Sequence, residues 1–421
     1  MPRSRVVGRA QSVLAFVGVV ALVLTYLIVS GRNPLPAGGK AVTDWLARTG
    51  SLSDPAATWT QRLDDQPTVA TVAGRAVVFS TRTGAEVRDA SDGRVLWSRE
   101  AHWIAVAGDG ASAVVVVGKG RDSGYDVVDP VSGKVRWHDP GLGVWAYRDA
   151  LLSLACPAGK DCALSARSLA DGAARWTVAL PPGARLLTGA HVSPESLPPL
   201  LALLVDGRIR VVNTGNGSRL REETSSATTR VAVLGGRIIR SSAQRADGRC
   251  RYTVEARDAA SGRQVWRKEG YDLGTASGAG CDQRRDPSGA QRVLVATRGD
   301  SRPVILSTAD GRELWVGAPG ESVLATDGRD AVVRAAGSTA LVGLDGGGTG
   351  WTRPVVGDVA LTPYAVVVTD PTGGRLFAYD RGGAALVDVE SQASVLGAGP
   401  NCLIVGRGRT VGLLAFNAVA R

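Results

Sequence analysis

"RDASDGRVLW", residues 88–97, reads as a hairpin in which an Asp-Gly pair turns the chain between two short strands, with a Trp four residues after the Gly. The same wording returns as "VDPVSGKVRW" at 128–137, "RSLADGAARW" at 167–176, "RDAASGRQVW" at 257–266 and "LSTADGRELW" at 306–315. From Trp97 to Trp137 is 40 residues, from Trp137 to Trp176 is 39, and from Trp266 to Trp315 is 49. The 90 residues between Trp176 and Trp266 make two periods. Their middle member is "VVNTGNGSRLR" at 211–221, where Gly217 and Arg221 hold the Gly and Trp positions. Two more endings follow, "LDGGGTGW" closing at Trp351 and a degenerate "YDRGGAALV" at 379–387.

One unit shows what repeats. In "GRAVVFSTRTGAEVRDASDGRVLWSRE", residues 74–100, three strands form a meander and a fourth lies upstream. A sheet of four short strands cannot bury both of its faces alone, so copies must stack. Four strands at a period near 40 predict an all-β protein, a β-propeller of four-stranded blades set radially around an axis. The composition agrees, with 54 Gly, 20 Pro and one Met among 421 residues.

Each recurrent residue has a structural task. The Gly supplies the positive φ that the turn needs, and the Asp binds backbone N–H groups two residues on. The Trp packs flat between neighbouring blades, which assigns Trp59, Trp97, Trp137, Trp176, Trp266, Trp315 and Trp351 to blade docking. The ends predict closure. "ATWTQRL" at 57–63 is an orphan outer strand, and "CLIVGRGRTVGLLAFN" at 402–417 reads as two strands and a turn with no Gly-x-x-x-Trp strand afterwards, so both termini complete the last blade. Counting that composite blade gives nine. Eight blades is the expectation if either weak unit, at 200–221 or 370–390, is irregular, and nine is the alternative.

The run D-x-x-x-G-x-x-x-W, at Asp89 to Trp97, Asp129 to Trp137 and Asp258 to Trp266, resembles the tryptophan-docking repeat of the pyrroloquinoline-quinone-like (PQQ-like) propellers. The resemblance covers about residues 52–417. It implies the fold, and it leaves two functional classes open, the quinoprotein alcohol dehydrogenases and the non-catalytic propellers of outer-membrane assembly. Members that oxidise alcohols hold the quinone with calcium, a catalytic Asp and commonly an adjacent Cys pair. This chain has no Cys-Cys, and its cysteines stand apart from any acidic cluster.

The chain opens outside the repeat. Arg3, Arg5 and Arg9 precede "VLAFVGVVALVLTYLIV" at 13–29, an uncharged run long enough to cross a bilayer as a helix. Residues 1–12 then read as a cytoplasmic basic tail, 13–29 as a single-pass signal anchor, 30–51 as a linker and 52–421 as an extracytoplasmic propeller, at the membrane of a bacterial envelope. A cleavable signal peptide shares these features, but the only cleavage candidate lies near Ala37, and no Cys in 20–40 invites a lipid.

Five cysteines suit an oxidising space. Cys156 with Cys162 and Cys250 with Cys281 are candidate disulfides, and Cys402 is left over. Three His, at 102, 138 and 191, have no ligand spacing, so no metal is expected. The net charge of +10 is scattered, which argues against nucleic acid. G-x-S-x-G, H-E-x-x-H and G-x-x-x-x-G-K are absent, so no catalytic residue, cofactor or enzymatic activity is assigned. The functional expectation is a membrane-anchored binding scaffold for a protein or peptide at one propeller face; the alternative is a quinoprotein dehydrogenase.

Overall fold

In a computed structural model of the chain, the described residues are 57–419 apart from 121–122, 142, 158–159, 188–194, 274–280, 282–287, 347, 371–373 and 417. The segments read as basic tail, anchor and linker lie outside them. Among the described residues no helix is long and apolar enough to cross a membrane.

These residues form nine antiparallel sheets, eight of them meanders of four consecutive strands, so the ring has nine blades rather than eight. Both weak units are regular. Leu200–Val205, Arg208–Asn213 and Arg219–Thr224 pair in full, as do Val366–Asp370, Arg375–Tyr379 and Ala385–Glu390. Strand pairing needs only the alternating apolar pattern, which both units keep although neither has a Trp.

The ninth blade is built from both ends of the chain. Ser394–Gly399, Cys402–Arg407 and Thr410–Ala415 supply its three inner strands, and Trp59–Arg62 adds the outermost, Trp59 opposite Leu413 and Arg62 opposite Thr410. One short strand lies beyond these three. Ala418–Val419 runs back along the outermost strand of the eighth blade, parallel to it, and covers part of that free edge.

The middle strands of each blade, such as "AVVFS" at 76–80 and "VVVVG" at 114–118, are continuous apolar runs because neighbouring blades cover both of their faces. The core is accordingly divided into nine clusters, one in each seam. Val77 and Phe79 of the first blade meet Trp59, Ile404 and Leu413 of the ninth, which closes the circle. Closure is tight: a Cβ on Gly397 would lie 1.9 Å from the Ala70 carbonyl oxygen, so only glycine lets the innermost strands of the first and ninth blades approach this closely.

Candidate binding face

The repeated turn works as a socket. Asp89 Oδ1 accepts the Ser91 N–H at 3.0 Å and the Gly93 N–H closes on the Asp89 carbonyl at 2.9 Å, with φ at Gly93 of 73°. Ser168, Asn213 and Ser307 take the Asp position in other blades with the same backbone bond. The indole of the preceding blade lies on the glycine, whose missing side chain leaves the room: a Cβ on Gly217 would be 2.9 Å from the Trp176 ring. Its Nε1–H donates to the carbonyl one residue past the Asp position. Trp59 reaches Ala90 at 2.9 Å, Trp97 Pro130 at 2.9 Å, Trp137 Leu169 at 3.1 Å and Trp266 Thr308 at 2.9 Å. Trp351 lies on Gly383 likewise, but its buried Nε1–H finds no acceptor among the described residues.

Arg221 holds the Trp position between the fourth and fifth blades as read, its guanidinium resting on Gly262. A second residue of the socket escaped the sequence reading. Arg99 and Arg353, each two residues after a Trp, donate to the turn carbonyls of Gly133 and Gly383 at 3.1 and 2.6 Å while lying over their own indoles. Its signal is the Trp-x-Arg spacing.

Strand alternation puts all these sockets on one face of the ring, together with the turns between first and second strands. The connections from second to third strands, and from one blade to the next, lie on the other. That other face carries the remaining features. Cys156–Cys162 bridges the connection between second and third strands of the third blade, and Cys250–Cys281 braces the corresponding hairpin of the fifth. Both candidate disulfides are therefore formed. Cys402 is free and buried in the seam between the ninth and first blades, and burial pushes its thiol up to about 11.

On the disulfide face of the first blade a cleft of about 300 Å³ is lined by Asp64, Asp65, Thr83, Ser98 and Glu100. At its floor Glu86 is buried and paired with Arg88, whose Nε donates at 2.7 Å, and the Asp64 N–H caps the other carboxylate oxygen at 3.2 Å. Asp65 at the rim is held below the usual carboxylate range, first by the Gln66 N–H and also by the Thr83 hydroxyl. The arrangement is a recess of four carboxylates in which Arg88 pairs with the deepest and Arg99 stands in the lining, so its acidity is partly met from within.

Between the fifth and sixth blades the Tyr271 hydroxyl donates to Glu313 at 2.5 Å, with Lys268 over its ring. Burial, and then that bond, push the phenol up to about 12. His138, far from this cluster, bonds Asp126 at 3.0 Å beside Lys119, an ordinary surface network.

The donor set does not fit a quinone held with calcium. The four bonded cysteines form pairs six and thirty-one residues apart at the ends of the blades, and among the described residues no three His, Cys, Asp or Glu side chains converge. No redox step is derived through such a group.

Residues 251–393 match the family described as outer membrane protein assembly factor BamB. No curated protein matches the chain. Among solved structures it is similar to the computationally designed Ika8 protein, at 14% identity and a TM-score of 0.43 over 85% of this chain and 99% of that one. It is also similar to BamB from Moraxella catarrhalis, at 16% and 0.38 over 87% and 100%. The quinohemoprotein alcohol dehydrogenase ADHIIG from Pseudomonas putida HK5 stands at 12% and 0.38 over 89% and 79%. The matched residues span the fifth to eighth blades, and the chain is a nine-bladed β-propeller whose matched repeats are of the PQQ-like kind.

Proposed function

We propose that the ring is an extracytoplasmic, non-enzymatic scaffold that presents one face to a protein partner, held at the membrane of a bacterial envelope by the apolar segment 13–29. The observation that carries this reading is the placement of both disulfides on the face opposite the sockets. Disulfides persist in oxidising compartments, and here they brace loops, where the nine seam cores give no support. A loop fixed before binding loses less entropy when it binds, which is what a recognition surface gains from a covalent brace.

The test is site-specific photo-crosslinking in the native membrane. Probes at Thr83 and at Asp161, on the disulfide face, should give discrete adducts, whereas a probe at Arg312, in a socket turn, should give none. Equal adducts from both faces would remove the reading. Adding pyrroloquinoline quinone and calcium to the purified protein tests the enzymatic alternative: a saturable absorbance change with reduction of an electron acceptor would replace the scaffold with a dehydrogenase.

A further inference from the structure

The fifth blade carries an arm. Its second and third strands, Arg237–Ala246 and Arg249–Arg257, run for ten and nine residues, whereas the second and third strands of the other blades have four to six. The innermost strand begins at Thr229, opposite Ser242, and the outermost ends at Glu269, opposite Thr253. Ala243 and Tyr252 are still bonded to Thr228 and Gly270, so residues 244–251 rise above the blade as a two-stranded ribbon of three rungs, roughly 10 Å tall at the rise of an antiparallel strand. A bare two-stranded ribbon is marginal in water. This one is clamped at Cys250 by the bond to Cys281.

Register divides its side chains. Gln244 faces Arg251 and Ala246 faces Arg249, so both arginines stand on one side of the ribbon, while Arg245 and Cys250 pair on the other, the clamped side. Arg249 and Arg251 are exposed, and Arg251 meets Asp247 at 2.7 Å in a solvent-facing pair of little strength. Within the fold neither arginine carries a seam or a socket.

We propose that this ribbon is a docking arm for an extended acidic segment of a protein partner, read by Arg249 and Arg251. The inference rests on the scaffold reading and names its partner chemistry. Two guanidinium groups two residues apart on one side of a strand repeat at about 7 Å, the spacing of carboxylates at alternate positions of an extended chain. The basic strip is narrow, since Asp247 stands at the tip and Glu269 is exposed at the foot. Such a strip suits a linear acidic segment; a broad anionic membrane surface would meet these carboxylates as well.

The experiment uses the full chain and two fluorescent peptides, one alternating Glu and Thr and one alternating Lys and Thr, read by anisotropy at low salt. Wild type should bind the acidic peptide and not the basic one. The double reversal R249E/R251E should weaken binding by about tenfold or more with an unchanged melting temperature, and R312E on the socket face should leave it unchanged. The clamp variant C250S/C281S should weaken binding severalfold by freeing the arm. Acidic-peptide binding that survives R249E/R251E, equal binding of the basic peptide, or binding only to phosphatidylglycerol vesicles would overturn the proposal. Crosslinks confined to the disulfide face together with peptide binding indifferent to R249E/R251E would sink the arm and spare the scaffold; crosslinks from both faces would sink the scaffold itself.

Discussion

Trp176→Ala tests what holds one blade to the next. Trp176 is 8% exposed, its ring lies on Gly217, and its Nε1–H donates to the Thr214 carbonyl at 2.5 Å. An indole hides on the order of 200 Å², worth about 5 kcal/mol at about 25 cal/mol per Å². The retained methyl and a compact denatured state reduce this, giving about 3–5 kcal/mol, the range of aromatic-to-alanine changes in cores. Trp97 makes the same contacts but is only half-buried, so Trp97→Ala should cost about half as much. Trp176→Phe keeps a ring on the glycine but loses the donor to the Thr214 carbonyl and part of the indole's area, for about 1–3 kcal/mol. Urea denaturation of the oxidised protein, followed by far-ultraviolet circular dichroism, measures all three. A Trp176→Ala loss below about 1 kcal/mol, or one no larger than that of Trp97→Ala, would refute docking as the source of seam stability.

Further outcomes follow from single residues. Arg221→Trp should raise the unfolding free energy by about 1–2 kcal/mol, because an indole would lie on Gly262 where the guanidinium now buries its Nε without a hydrogen bond; an unchanged or lower urea midpoint contradicts this. Cys402 should resist a thiol reagent at neutral pH in the folded protein and react on unfolding, while a non-reducing peptide map recovers the other four cysteines as two pairs; labelling of the native protein would contradict its burial. Arg136, with the Ser132 N–H, holds Asp129 down to about 2, below its ordinary 3.8. A depressed carboxylate stabilises the fold above the unfolded value and ceases to do so as the pH falls through the folded one. The stability gap between wild type and Asp129→Asn should therefore be full near neutrality and close between about pH 4 and pH 2; a gap constant with pH would refute it.

The fold was legible because the socket writes three residues at fixed spacing, Asp, Gly and Trp, each with a steric or hydrogen-bonding reason to be there. Where that reason is met otherwise the count blurred. Arg221 lies on its glycine without an aromatic ring, and Val387 fills the eighth seam with aliphatic contacts, so eight and nine blades stayed open until strand pairing decided. Closure by Trp59–Arg62 was readable because an orphan strand and an incomplete blade need one another. The pairing of Ala418–Val419 was not, since two residues carry no periodicity. The candidate face was less visible. Both cysteine pairs could be proposed from spacing and compartment, but their shared face emerges only from strand direction. The arm was written in the sequence, as "RADGRCR" at 245–251, and went unread because an Asp-Gly turn looks the same at the top of a tall hairpin as at the top of a short one.

The composite ninth blade settles where the chain enters and leaves its ring. The one turn missing from the circuit is the one that would join Ala415 to Trp59, at the end of the blade where Thr58 N–H bonds Leu413. That gap lies among the sockets. A cyclic chain could be opened at any of nine equivalent turns with the same blades and the same seams, so the position of the break is free with respect to folding. It falls at a socket turn, so the described chain enters the ninth blade at Thr58 and leaves its third strand at Ala415 on the side away from the disulfides.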